Sequence, residues 1–113
     1  MGKDGEAFAR EFLAGQGYGI LEANYRTRTG EIDLVAQQGE TIVFIEVKTR
    51  QEDGWDAFEA VDRRKQSRMK RTAQAFLMER YGTEDVSARF DVLAVYSRNG
   101  VLEADLLKDA FGI

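Results

Sequence analysis

The sequence predicts an α/β domain in the order α-β-β-β-α-β-β, a mixed sheet flanked by helices. Three observations carry this. Two segments, 4–14 and 57–81, repeat apolar residues at helical spacing. Three alternating, β-branched runs lie between them, joined by loops so short that the strands must form an antiparallel meander. The long second helix separates the third strand from the fourth, which allows a crossover that returns the fourth strand parallel to the third.

Each element has a local reason. In 4–14, Asp4 can cap the helix N-terminus, and Phe8, Ala9, Phe12 and Leu13 form the apolar stripe. Gly15 or Gly17 is available for a left-handed C-cap. Strands are expected at 18–25, 31–36 and 41–48, with "TRTG" and "QQGE" as hairpin turns. The polar stretch 49–56 reads as a loop. Val61, Met69, Ala73, Phe76 and Leu77 give the 57–81 helix its buried stripe, and "YGTED" closes it. "ARFDVLAVY" is a strong strand at 88–96, "SRNG" a turn, and 101–106 a final short strand.

The chain has 113 residues, enough for one domain, 1–113, with a modest core. An apolar content of 43% against 32% charged residues predicts a folded domain rather than disorder. No apolar run is long enough to span a bilayer, and the first ten residues lack the apolar core of a secretory signal, so a cytoplasmic protein with no membrane partner is expected. There is no cysteine and no histidine. This excludes disulfides, thiolate or imidazole zinc sites, and histidine-based hydrolysis. Catalysis here must use carboxylates, lysine, tyrosine or a metal held by oxygen, for which Mg²⁺ or Mn²⁺ is suited.

The stretch "FIEVKTR" frames the chemistry. Alternation places Ile42, Phe44, Glu46 and Lys48 on one face of an apolar strand and Val43, Ile45 and Val47 on the other. Opposite charges in such a strand are costly to bury unless both are satisfied. In the preceding strand, Glu31, Asp33 and Val35 share one face and Ile32, Leu34 and Ala36 the other. Antiparallel pairing can therefore bring Asp33 close to Glu46. Two such carboxylates suit a hydrated Mg²⁺, with Lys48 at its edge to serve an attacking water. With 11 glutamates and five lysines, chance alone supplies roughly half an E-x-K triplet per chain, so the weight rests on its context. The rival reading is a cross-strand salt bridge at a wet sheet edge. The net charge is −4, yet Arg63, Arg64, Lys65, Arg68, Lys70 and Arg71 cluster on one helix, while Arg26, Arg28 and Arg50 lie near the acidic strands. These are candidate phosphate contacts, or a solvated face.

The set Asp33, Glu46 and Lys48, spaced as D-x(12)-E-x-K, resembles the signature of PD-(D/E)xK nucleases. More closely, "GEAFAREFL", "GYGILEANYRTRTGEIDLVA", "VFIEVKTR", "AVDRRKQSRM" and "RFDVLAVY" resemble the bacterial YraN-like family, from Gly5 to about Tyr96. The resemblance implies a restriction-endonuclease-like fold and kinship with archaeal Holliday junction resolvases. The proline usual before the aspartate is replaced by Ile32, which removes no metal ligand. Related nucleases add an acidic residue from the first helix, a role that would fall to Glu6, otherwise an ordinary first-turn acid. They also place a lysine or glutamine of the long helix near the site. Lys65 and Gln66 match it, although Lys65 on the apolar stripe can equally snorkel. Asp91 looks like a ligand but has Arg89 as a nearer explanation, and Trp55 and Phe58 can stack on bases or cap the core.

The expected function is a metal-dependent endonuclease acting on nucleic acid, with structured or branched DNA as substrate. Asp33, Glu46 and Glu6 would hold Mg²⁺ or Mn²⁺, and Lys48 would assist catalysis. Arg26, Arg28, Arg50, Arg64, Lys65, Gln66 and Arg68 would meet the nucleic acid. Symmetric cutting of two strands would call for a homodimer. The alternatives are a non-catalytic nucleic-acid-binding module of the same fold, serving DNA repair or recombination, and an interaction protein that binds no metal.

Overall fold

The computed structural model describes residues 3–51 and 62–111. Helix α1 (Lys3–Gly15) is followed by strands β1 (Gly19–Thr27), β2 (Gly30–Gln38) and β3 (Thr41–Gln51), helix α2 (Arg63–Tyr81), and strands β4 (Ala88–Arg98) and β5 (Val101–Phe111). The expected order is what the structure shows. The sheet runs β1-β2-β3-β4-β5, antiparallel throughout except that β4 lies parallel to β3, as the helical crossover requires.

The helices cover opposite faces of the sheet. Beneath α2, Met69, Ala73, Phe76 and Leu77 pack on Tyr25, Ile32, Val35, Ile42, Phe44 and Phe90. Beneath α1, Ala9 and Leu13 pack on Leu34, Ala36, Val43, Ile45, Leu93 and Val95. The alternation read for β3 holds, with Ile42 and Phe44 under α2 and Val43, Ile45 and Val47 under α1. In β2 it breaks once. Ile32 joins Val35 beneath α2 instead of sharing the face of Leu34 and Ala36. The neighbouring strand carries Asn24 at φ 55°, between Ala23 on the α1 side and Tyr25 on the α2 side, so both strands turn over together at this point.

Helix ends follow their residues. Gly17 at φ 89° closes α1: Tyr18 N–H donates to Leu13 O at 3.0 Å and Gly17 N–H to Ala14 O at 3.1 Å, a Schellman arrangement. Helix α2 is described from Arg63, and residues 57–61 of the expected helix lie outside the described residues. Asp62 has extended dihedrals and its carboxylate accepts from Lys65 N–H at 2.8 Å, the geometry of an N-cap. Val61, Trp55 and Phe58 lie outside the described residues. The last strand is longer than expected, reaching Phe111, because a bulge carries the chain past 106. Asp109, at φ 52°, sits in that bulge and donates its N–H to the buried Asp91 carboxylate at 2.9 Å. At the opposite edge β1 has its own bulge between Ile20 and Glu22.

Candidate active site

The site begins where the sheet forks. The β2–β3 ladder runs from Gln38↔Thr41 to Leu34↔Ile45 and stops, although β2 goes on pairing with β1 to Gly30 and β3 with β4 to Gln51. Beyond the last rung the Asp33 carboxylate accepts from Val47 N–H at 2.8 Å. A side chain thus takes a backbone donor that the ladder leaves unpaired, which holds the two strands apart without an orphaned amide. The fork and the first turns of α2 enclose a cavity of about 210 Å³. Asp33 and Glu31 enter it from β2, Glu46 from β3, and Lys65 and Arg68 from α2.

Glu46 is buried, 6% exposed, and its Oε1 accepts from Lys65 Nζ at 2.9 Å. Burial pushes the Asp33 carboxyl up, the charge of Glu46 pushes it further, and the Val47 N–H only partly offsets them, giving a pKa of about 6. Burial works against the charge of Lys65, but the hydrogen bond and charge of Glu46 outweigh it, and its pKa is raised. Lys48 is half-buried and close enough to interact with Lys65. Asp33, Glu46, Lys48 and Lys65 therefore form one electrostatic unit, and an ion pair at a wet strand edge does not describe a glutamate this buried.

The β1–β2 turn that leads into the strand of Asp33 is fastened to α2. Thr72, fully buried, donates to Arg68 O at 2.9 Å, and its Oγ1 stands 3.0 Å from that of Thr29, which stands 2.8 Å from that of Thr27. Gly30 allows the close approach: a Cβ there would lie 3.4 Å from Thr72 Oγ1. This hydroxyl chain and Glu31 were not singled out by the sequence analysis. Glu31 had a signal, since it alternates onto the face of Asp33, whereas three threonines 43 or more residues apart in part have none.

The remaining candidates divide. Glu6 is not among the cavity-lining residues; it is half-buried on α1 and pairs with Arg10 at 3.5 Å. Among the described residues no group of three or more acidic side chains stands close enough to share an ion. Arg26 is exposed and its Nε bonds Glu31, Arg28 is exposed, and Arg64 and Arg68 lie exposed on α2. Gln66 is half-buried in the first turn, its N–H donating to Asp62 O at 2.9 Å. Arg50 belongs to β3, paired with Tyr96, and its side chain is outside the described set. Asp91 does pair with Arg89, Nε to Oδ1 at 3.0 Å, and also accepts from Tyr18 OH at 2.6 Å. Its role is thus structural.

The model of a family described as "Uncharacterised protein family UPF0102" matches residues 5–95. The chain belongs to the UPF0102 family. A UPF0102 protein of Desulforapulum autotrophicum is 46% identical to it, covering 98% of this chain and 92% of the relative. Another from Moorella thermoacetica is 48% identical over 97% of this chain and 93% of its own length, and one from Caldicellulosiruptor saccharolyticus is 44% identical over 98% and 96%. The UPF0102 match takes in the fork, the hydroxyl chain and the cavity wall on α2, while β5 lies beyond it.

The donor set fits a hard cation. Asp33 and Glu46 offer carboxylate oxygens in one cavity, and the sequence has no histidine and no cysteine. One or two carboxylates with water completing the shell is the usual way a protein holds Mg²⁺. Burial first and the neighbouring Glu46 charge second raise the Asp33 pKa, and a cation between the two carboxylates would relieve the second of these.

Proposed function

We propose that this chain is a metal-dependent endonuclease of the PD-(D/E)xK, restriction-endonuclease-like superfamily, akin to archaeal Holliday junction resolvases, that hydrolyses phosphodiester bonds in structured or branched DNA. The observation that carries the reading is the pair Asp33 and Glu46 in the sheet fork, walled by the basic start of α2. Asp33 and Glu46 would hold Mg²⁺ or Mn²⁺. When bound, such an ion polarises the phosphoryl oxygen and lowers the pKa of a bound water. The chain's own residues supply the rest. Val47 N–H fixes one Asp33 oxygen, which orients the other. Lys48 lies on the strand face of Glu46 and would orient the attacking water and stabilise charge developing on the phosphate. Arg64 and Arg68 lie four residues apart on an exposed face and can follow one strand's phosphates. Arg26 bonds Glu31, which lines the cavity, and Arg28 stands exposed in the β1–β2 turn, so both are further candidate phosphate contacts.

The test is a panel of labelled junctions, flaps, duplexes and single strands incubated with Mg²⁺ or Mn²⁺. Lys48→Ala should lose cleavage while binding stays nearly intact, because its contribution is made to the transition state. Full activity in Lys48→Ala would overturn its role. One observation favours a second reading, a binding module without catalysis: Lys65 already neutralises Glu46. That reading predicts binding of branched DNA at equal affinity with and without divalent cations, and no cleavage of any substrate.

A further inference from the structure

The cavity already contains a cation of the protein's own. Lys65 Nζ stands 2.9 Å from Glu46 Oε1, in a cavity that Asp33 and Arg68 also line. The backbone beneath Lys65 is fixed, because Asp62 caps its N–H at 2.8 Å and Met69, one turn further on, is buried in the core. The side chain above that anchor is not fixed in the same way. It is a flexible stem of four methylenes, about one third exposed, ending in a point charge.

Counting charge locates the consequence. The cavity is lined by three carboxylates, Glu31, Asp33 and Glu46, and by two cations, Lys65 and Arg68, with Lys48 adjacent as a third, so it is balanced with no metal. A divalent cation reaching Glu46 must compete for an oxygen that already accepts an ammonium hydrogen bond. Once it enters, the cavity carries two positive charges in excess, and two neighbouring phosphodiesters of a nucleic-acid backbone, each a monoanion, would neutralise them.

Building on the proposed function, we propose that Lys65 is the exchangeable counter-ion of this site: it holds Glu46 until a divalent cation displaces its ammonium toward a phosphate of the bound nucleic acid, which couples metal binding to nucleic-acid binding. Linkage then requires each ligand to raise the affinity for the other by the same factor. Lys65 acts through Glu46 and the phosphate, so it is a positioning residue and not a group that touches the reacting atoms before the exchange.

The experiment is a Mn²⁺ titration by calorimetry and by the electron paramagnetic resonance of free Mn²⁺, with and without a phosphorothioate-protected DNA junction. It compares the wild type with Lys65→Met, and with Lys65→Gln as a second neutral variant. Wild type should bind Mn²⁺ weakly alone and on the order of 10-fold more tightly with DNA. Both neutral variants should bind Mn²⁺ more tightly than wild type in the absence of DNA, on the order of 10-fold, and show less gain when DNA is added. If the folded variants bind Mn²⁺ no more tightly than wild type, Lys65 does not compete for the site and the inference is overturned, while the metal site itself stands. If neither wild type nor variants bind Mn²⁺ with or without DNA, the endonuclease reading falls and the inference with it.

Discussion

Replacing Asp33 with asparagine should stabilise the metal-free protein. The folded chain holds the Asp33 proton up to about pH 6, while the unfolded chain releases it near the ordinary value of 3.8. Between those limits the folded state binds the extra proton, so stability falls as pH rises through the window, and above pH 6 the whole penalty is present. A displacement of about two pH units corresponds to about 3 kcal/mol, close to 10 °C in melting temperature for a domain of this size. Asparagine removes the charge but keeps a carbonyl oxygen for Val47 N–H, so the pin across the fork survives. Melts in EDTA at pH 4, 5, 6 and 7 should show the two proteins converging at pH 4 and the variant leading at pH 7. Adding 10 mM Mn²⁺ should then reverse the order of response. With a dissociation constant on the order of 1 mM, wild type gains about 1.4 kcal/mol, and the variant, short of a ligand, gains little. A variant that melts lower than wild type at pH 7, or by the same interval at every pH, would refute the claim that Asp33 sits under like-charge and burial stress.

Other outcomes follow from the same geometry. Arg64→Ala with Arg68→Ala should weaken binding about equally across sequences and flatten the salt dependence by roughly one to two units of slope, measured by fluorescence anisotropy; an unchanged slope would mean the face does not meet phosphate. Asp91→Ala removes a fully buried carboxylate, takes the acceptor from Tyr18 OH and Asp109 N–H, and leaves Arg89 without its carboxylate, so urea denaturation should show a loss of about 3–5 kcal/mol.

Much of this molecule was legible in its sequence because the signals were local or periodic. Alternation in 41–48 put Glu46 on the α2 face and Val47 on the other, and the turn residues Gly39, Asn99 and Gly100 adopt the positive φ their hairpins need. What failed had non-local causes. The reversal of Ile32 depends on a twist shared with Asn24 across the ladder, and the length of β5 on a hydrogen bond to Asp91, 18 residues back. In the site, two of the expected carboxylates met because neighbouring strands must pair, whereas Glu6 had to be placed by the packing of a helix, which sequence spacing does not specify. The Lys65–Glu46 bond spans 19 residues and joins two layers. The position of Lys65 on the apolar side of its helix, and the family resemblance that sets a lysine or glutamine of this helix near the site, hinted at it.

The two bulges have a consequence for how copies of this chain can meet. Both outer strands of the sheet, β1 and β5, carry one, and each interrupts the regular row of amides and carbonyls that an incoming strand would need to extend the sheet. Asp91 reaches from the interior to take one of those amides, that of Asp109, out of reach of any neighbour. A second copy seeking this protein would therefore find both lateral edges blunted at their bulges, which disfavours joining the two sheets there. The buried carboxylate that locks the last strand in place is also a guard against the sheet growing into its neighbours.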